Sequence, residues 1–456
     1  MDLRARIAAL TGTRSSPSAA PLPSAQPSVR ERLHRLGVEG ETCFIEAAAP
    51  PLEALEGARE VGEGDQRYLR IERPLDDDAQ QGAADWLRLW TDEHGRALCP
   101  RSRVHGVEAS RALFIDTETT GLGGASTLVF LVGGVYWRGD RLWLTQFFLL
   151  GPGGERAMMI ELLAFLRGFD FLVSYNGRAF DVRALCDRFI MCGLAEGPAV
   201  VEGLPHLDLL HPSRRVWRNA LSDCRLVTIE REILRRARGE DVDGEAIPMI
   251  YYTWLRSGKT RDVHAVIRHN EWDTVTLAVL GATLLALLAD PSRHPGRHDD
   301  AHDGVRQRRR AEQMVGLGTL HLARGNADLA EEAMRHGLEE ASPVSRYLAR
   351  KRLAALHKQR GEPERALPLW LAMLDENVLG EAHPYTEIAK HFEHGRRDLR
   401  AALEMVERGL VELSPGRQAT STEGADLQKR RQRLLAALSR SERGGRATSR
   451  RAPPSC

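Results

Sequence analysis

Six cysteines are scattered through 456 residues with no Cys-x-x-Cys pair among them, which argues against a zinc ribbon and against a disulfide scaffold. Thiols used so sparingly suit a reducing compartment, and the cytoplasm is the expected one. Long hydrophobic runs are missing as well. Leu128–Val135 and Leu277–Ala289 are too short or too interrupted to span a bilayer, so no membrane association is expected. At the N-terminus Ala8, Ala9 and Leu10 give way at once to Thr, Gly, Ser and Pro, without the apolar core of a secretory signal. A net charge of +1 excludes a bulk polycation. Charge is nevertheless uneven, because the stretch from Lys429 to the end carries nine Lys/Arg against the single acid Glu442. Arginine outnumbers lysine throughout, a bias that carries little functional weight. A hydrophobic content of 42% with 28% charged residues describes a soluble globular chain, long enough for more than one domain.

Six segments follow from local pattern. Residues 1–30 read as a disordered arm, since 11–29 are rich in Ser, Pro and Ala, although Leu3, Ile7 and Leu10 can share one face of a short helix. Residues 31–105 lack strong periodicity and form an extension with no assigned role. Residues 106–290 are far more regular. Strands are expected at Arg111–Glu118, Leu128–Trp137 and Leu142–Leu150, the last two joined by the turn Arg138-Gly139-Asp140. A helix at Ala157–Arg167, a strand at Phe171–Tyr175, a helix at Val182–Cys192, a strand near Leu207–Leu210 and a long helix from Val263 to Leu288 complete the pattern. Three antiparallel strands followed by alternating strands and helices make a mixed sheet of the α/β class.

Residues 291–308 read as a linker. Its His294, His298 and His302 have the i, i+4, i+8 spacing of helical metal ligands, but Pro291, Pro295, Gly296 and Gly304 argue against a helix there. Residues 309–440 repeat themselves. Gly325-Asn326-Ala327-Asp328-Leu329-Ala330 returns as Gly361-Glu362-Pro363-Glu364-Arg365-Ala366, and more loosely from Gly395 to Ala401. Steps of 36 and 34 residues with a Gly-x-x-x-x-Ala turn resemble tetratricopeptide repeats, and Leu317, Leu320 and Leu322 suit the first helix. Residues 441–456 are expected to be a disordered basic tail.

Three clusters carry chemistry. In Phe114–Leu122 (FIDTETTGL), strand alternation puts Asp116 and Glu118 on one face, and Leu113 and Ile115 on the other. Adjacent carboxylates repel unless a cation lies between them, and hard Mg²⁺ or Mn²⁺ is the usual answer. A solvated acidic pair is the plain alternative. Next, Tyr175-Asn176-Gly177-Arg178-Ala179-Phe180-Asp181 follows an apolar strand and opens a helix, where Asp181 has the plain reading of a helix cap. Last, His269 and Asp273 are i, i+4 neighbours on the long helix, where an exposed polar face would explain them equally well. Asp208, between His206 and His211, is either an auxiliary acid or a polar strand end.

The order of these clusters resembles the DEDD (DnaQ-like) 3′→5′ exonuclease superfamily, and within it the YprB-type ribonuclease H-like domain with appended tetratricopeptide-like repeats. The resemblance covers residues 111–287 and is strengthened by Thr119, Thr120, Gly121 and Leu122; Leu226–Tyr252 is similar to that family's inter-motif region. It implies an α/β ribonuclease H-like fold followed by an all-α repeat domain. It also implies that Asp116, Glu118, Asp181 and Asp273 hold two divalent ions, Mg²⁺ or Mn²⁺, and that His269 is the general base. Thr119, Leu122, Asn176 and Phe180 would contact the 3′-terminal nucleotide of a single strand, RNA or DNA. A protein partner would sit on the repeats. The resemblance departs at one point: the superfamily's histidine lies five residues before the last Asp, whereas His269 lies four before Asp273, the spacing of its tyrosine branch.

Two rivals bear comparison. Asp116-Thr117-Glu118-Thr119-Thr120 is superficially like a haloacid-dehalogenase nucleophile loop, but Glu118 stands where that loop has Asp, and no Gly-Asp-x-x-x-Asp follows. The stronger rival is a catalytically degenerate nucleic-acid-binding or scaffold protein that acts through its repeats. All four acidic positions are filled, which favours the enzyme.

Overall fold

In a computed structural model the described residues are 50–99, 104–121, 127–291, 304–376, 378–413 and 422–449, the last helix with side chains only as far as residue 441. The arm over 1–30, Leu122 and the three linker histidines lie outside them. Two strands come before the expected domain, Ala58–Val61 (β1) and Tyr68–Pro74 (β2), followed by helices Asp77–Leu89 (α1) and Asp92–Leu98 (α2). Then come Ala112–Thr119 (β3), Val129–Arg138 (β4), Arg141–Leu149 (β5), Glu155–Leu166 (α3), Phe171–Ser174 (β6), Asp181–Met191 (α4), Gly197–Gly203 (α5), His206–Asp208 (β7) and Leu210–Trp217 (α6). Leu226–Ile229 (α7) runs into a π-helical turn, Glu230–Leu234, and Ile247–Ser257 (α8) leads to the long helix Arg261–Ala289 (α9).

All seven strands form one mixed sheet in the order β1-β2-β5-β4-β3-β6-β7. From β1 across to β3 every neighbour is antiparallel, while β6 and β7 continue parallel to β3. The sheet therefore takes in strands from residues 58–74, so its limit lies well before 106. β4 is central, and nine of its ten residues are buried because both faces are covered. On one face Phe114, Phe171 and Trp86 pack with the C-terminal half of α9; on the other Leu113, Ile115, Leu131 and Phe189 pack with α3, α4 and α8. By length and composition α9 could cross a bilayer, which departs from the sequence expectation, but 78% of its most apolar stretch is buried within this core.

A close approach positions α9 over the sheet. Gly133 on β4 pairs with Asp116 on β3, and a Cβ there would stand 2.0 Å from Asn270 Oδ1. The missing side chain leaves room for Asn270. Its Nδ2 donates to Asp116 Oδ2 at 2.9 Å, and its Oδ1 accepts from Gln146 Nε2 at 2.9 Å. Gln146 also donates to Ile267 O at 2.8 Å, so sheet and helix are joined by a buried polar chain.

The C-terminal region is helical: Gly304–Ala323 (α10), Ala327–Gly337 (α11), Pro343–Gln359 (α12), Pro363–Glu376 (α13), His383–Lys390 (α14), Leu399–Glu412 (α15) and Thr422–Ser449 (α16). Consecutive helices pack as pairs, α10 with α11, α12 with α13, and α14 with α15. Three expectations need correction here. A helix begins at Gly304, inside the segment read as linker, and α16 continues through residues 441–449, read as tail. Gly395 is not the third turn glycine; it lies in a π-helical stretch, His391–Arg396, and Arg397 takes the left-handed position at φ 55°. In the turns inside the three helix pairs the left-handed residues thus fall at 325, 361 and 397, a step of 36 both times, while Gly380 is left-handed between two pairs.

Gly133→Ala should lower stability by about 1–3 kcal/mol, the usual cost of overpacking a fitted core. In an Asn270→Ala background the same substitution should cost less than half as much, because the atom it strikes is gone. Thermal unfolding of the two single variants and the double variant measures the difference.

Candidate active site

Asp116 and Glu118 emerge from β3 on the face of Phe114, opposite Leu113 and Ile115, as strand alternation requires. Asp116 is fixed by Asn270, as above. Asp181 opens α4 but is not its cap, since Phe180 holds that position; its Oδ1 accepts from Thr117 Oγ1 at 2.5 Å. The turn before it is set by a second acid. Asn176 has φ 66°, and its N–H donates to Asp208 Oδ1 at 2.8 Å; the same oxygen accepts from Leu210 N at 3.1 Å. Asp208 is thus a buried backbone anchor for the turn rather than a bare strand end. Gly177 lets the loop close, because a Cβ there would stand 2.4 Å from Asp181 Oδ2.

His269 and Asp273 share one face of α9, with His269 Nε2 3.5 Å from Asp273 Oδ2 and 4.0 Å from Glu118 Oε1. The four-residue spacing therefore still aims the imidazole at the acidic cluster. Its other nitrogen, Nδ1, lies 2.8 Å from Asp241 Oδ1. Between the two runs Arg238, whose side chain is 7% exposed and engages three acids. Its Nε donates to Glu230 Oε2 at 2.5 Å, Nη1 pairs with Asp241 Oδ2 at 3.0 Å, and Nη2 donates to Asp273 Oδ1. Glu230 is held in turn by Thr276 Oγ1 at 3.0 Å.

Burial pushes the Asp116 carboxyl well above its ordinary range, and the neighbouring Asp273, Glu118 and Asp181 push the same way, against the Asn270 hydrogen bond. Glu118 is raised by burial first and then by Asp273, Asp181 and Asp241, with Arg238 opposing. Burial also lifts Asp181, to about 6, despite the Thr117 hydrogen bond. Asp241 differs: burial works against its charge, but the His269 hydrogen bond and Arg238 leave it below the usual value. Crowded, desolvated carboxylates are the donor chemistry of a hard divalent cation. The donor type fits such an ion, but the arrangement is not a finished coordination shell. Among the described residues no three such side chains already surround a common point. Asp116, Asp181 and Asp273 each spend one oxygen on a protein donor.

Beside the cluster opens a pocket of about 490 Å³, lined by Thr117, Thr119, Gly121, Phe180, Asp181 and Arg183 among others. Thr119 Oγ1 donates to Gly121 O at 2.6 Å, and the Phe180 side chain is 54% exposed. Thr119 and Phe180 thus share a pocket with Asp181, whereas Asn176 is a turn residue outside its lining. Sequence reasoning did not single out Thr117, Asn270, Arg238 or Asp241. The last two lie in the charge-dense stretch between Leu226 and Tyr252, which has no periodicity and gives only the resemblance as a signal.

A mixed sheet with acids on β3, beside its central strand, joined by acids from two following helices, defines a ribonuclease H-like domain, and the pattern of the RNase_H superfamily matches residues 113–285. The chain is also similar to the uncharacterized protein YprB of Bacillus subtilis (strain 168), 30% identical over 330 residues, which cover 72% of this chain and 75% of that one. It belongs to the same family, within the ribonuclease H superfamily, whose members are usually nucleases and generally use divalent metals.

The raised Asp181 carboxyl has a thermodynamic consequence. A group whose value is higher folded than unfolded gives stability that is complete below the unfolded value and is lost as pH rises through the folded one. In the metal-free protein, stability from this group should therefore fall between about pH 4 and the folded value of about 6. Asp181→Asn should melt higher than wild type in EDTA at pH 7, by several degrees, with the gap shrinking towards pH 4. Calorimetry of both proteins across this range is the check, and a gap independent of pH would contradict the assignment.

Proposed function

We propose that this protein is a metal-dependent 3′→5′ exonuclease of single-stranded nucleic acid, of the DEDD type, with tetratricopeptide-like repeats that recruit a protein partner. The observation that carries this reading is that Asp116, Glu118, Asp181 and Asp273, from a strand and two separate helices, lie close enough to raise the cost of one another's charge, with His269 Nε2 turned to Asp273 and Glu118. The four carboxylates would hold two Mg²⁺ or Mn²⁺ ions, which when bound would activate water and stabilise the charge leaving on the 3′ oxygen. His269 Nε2 accepts a proton of the attacking water as its oxygen forms a bond to phosphorus. The bond from phosphorus to the 3′ oxygen breaks, and that oxygen takes up a proton from solvent. The products are a nucleoside 5′-monophosphate and a strand one nucleotide shorter.

The pocket beside Asp181 has room for a terminal nucleotide, with exposed Phe180 available to stack on a base and Thr119 at its wall. Paired helices with left-handed residues every 36 positions support the repeat assignment. Four free thiols among the described residues are compatible with action in the cytoplasm. One observation favours the rival reading of a degenerate binding or scaffold protein: Arg238 already occupies one oxygen of Asp273. Its other oxygen, which faces His269, is left for an ion.

Single-stranded RNA and DNA labelled at either end, incubated with Mg²⁺ or Mn²⁺, test the proposal. Stepwise shortening from the 3′ end should be abolished by EDTA and by Asp181→Ala, and reduced about 10²–10⁴-fold by His269→Ala. The sugar preferred by the wild type identifies the substrate class. If wild type and Asp181→Ala are equally inert on every substrate, the scaffold reading replaces this one.

A further inference from the structure

We propose that Asp241 is the positioning residue for His269, fixing both the direction of the imidazole and the nitrogen that carries its proton. The inference rests on the reading of His269 as the base, but the geometry behind it is independent of any substrate. Asp241 Oδ1 lies 2.8 Å from Nδ1. Its other oxygen takes a hydrogen bond from Arg238, a side chain that can only donate. An ionised carboxylate between two donors requires Nδ1 to carry the hydrogen. In the neutral ring Nε2 is then the bare nitrogen, and it faces Asp273 Oδ2 at 3.5 Å and Glu118 Oε1 at 4.0 Å.

Arg238 makes the arrangement rigid. One guanidinium reaches Asp241, Asp273 and Glu230. The loop that carries Asp241 is thereby tied to the same helix that carries His269. Without that tie the four-residue spacing leaves His269 directly above Asp273 on one helix face, free to turn towards it. With it, the ring is held from behind. The same logic orients metal-bound and triad histidines, where a carboxylate on one nitrogen selects the tautomer.

The chemistry predicts an inversion. In Asp241→Asn the amide turns its oxygen to the charged donor Arg238 and gives up the exposed Val242 N–H, which also reaches Asp241 Oδ1 at 2.8 Å, to water, so its NH₂ faces Nδ1. The ring must then accept at Nδ1 and carry its proton on Nε2, pointing into the site with no lone pair to offer. Nitrogen-15 spectra of histidine-labelled, metal-free full-length protein report this, with His269 assigned by its loss in His269→Gln. Wild type should show Nδ1–H with bare Nε2, and Asp241→Asn should show the reverse. On the same proteins, kcat with Mn²⁺ should fall about 10²–10⁴-fold in Asp241→Asn. KM and Mn²⁺ affinity, read by electron paramagnetic resonance, should stay within about 3-fold. Wild-type His269 protonated at Nε2 overturns the proposal without any variant having to fold. So does an Asp241→Asn protein that keeps both the wild-type tautomer and its kcat. If wild type degrades nothing, the exonuclease reading fails, while the spectra still decide whether Asp241 orients the ring.

Discussion

Four carboxylates gathered in a poorly solvated cleft repel one another, and a chain that folds around them must supply its own counter-charge. Arg238 does so. A guanidinium cannot lose its proton at any relevant pH, so unlike a lysine it cannot escape burial by becoming neutral. Placed between Glu230, Asp241 and Asp273 it meets one acid from the π-helical turn, one from the following loop and one from α9. Breaking one partner of such a buried set leaves charge uncompensated, which is why the three elements behave as a unit. Asn270 and Thr117 perform the neutral version of the same task for Asp116 and Asp181. Each spends one carboxylate oxygen and leaves the other for an incoming ligand.

This solution requires backbone and side chains to come unusually close. Asn270 reaches Asp116 only because Gly133 presents no side chain, and it is kept from rotating by Gln146. On the far side Asp208 gathers the amides of Asn176 and Leu210, and so holds the turn that delivers Asp181. Burial this deep is tolerable because the amide donors of Asn270 and Gln146 and the oxygens they meet are paired, although Gln146 Oε1 is left without a partner.

Asp116 could be paired with Glu118, and His269 with Asp273, because they lie in regular elements, where a period of two or of 3.6 converts spacing into a shared face, whereas only the family resemblance joined Asp181 to them. β3 to β6 and α9 were legible from continuous apolar stretches, and the short β7 from its place after them. β1 and β2 were not. Ala58–Val61 has both central residues exposed, and Tyr68–Pro74 carries Arg70 and Glu72 at covered positions, where Arg70 pairs with Glu72 and Glu161. The alternation of Leu69 and Ile71 with Arg70 and Glu72 spans only four residues, too few to stand out from the charged chain around it. Arg238 and Asp241 escaped for a different reason. Their partners are distant in sequence, and a loop has no period from which to infer a direction. Gly395 misled because glycine is the expected left-handed residue, yet Arg397 adopts that conformation and restores the step of 36.

The helical region packs directly against the ribonuclease H-like domain. Met314, Leu317 and Leu320 of α10 belong to the same apolar core as Val216 and Trp217 of α6. Trp217 Nε1 donates to Gln313 Oε1 at 2.9 Å, and Asn219 Nδ2 donates to Ser345 Oγ at 3.0 Å. A shared core is not a hinge, because sliding it would expose apolar surface at about 25 cal/mol per Å². At the edge of this contact Arg309 pairs with Glu232 at 2.8 Å, two residues along the π-helical turn from Glu230, which holds Arg238. Anything held by the later helices is therefore presented to the cleft at a set distance and direction, unlike cargo on a flexible tether, whose effective concentration is diluted by every conformation the tether can adopt. The turn that steadies the site's counter-ion is thus also part of the surface on which the helical region rests.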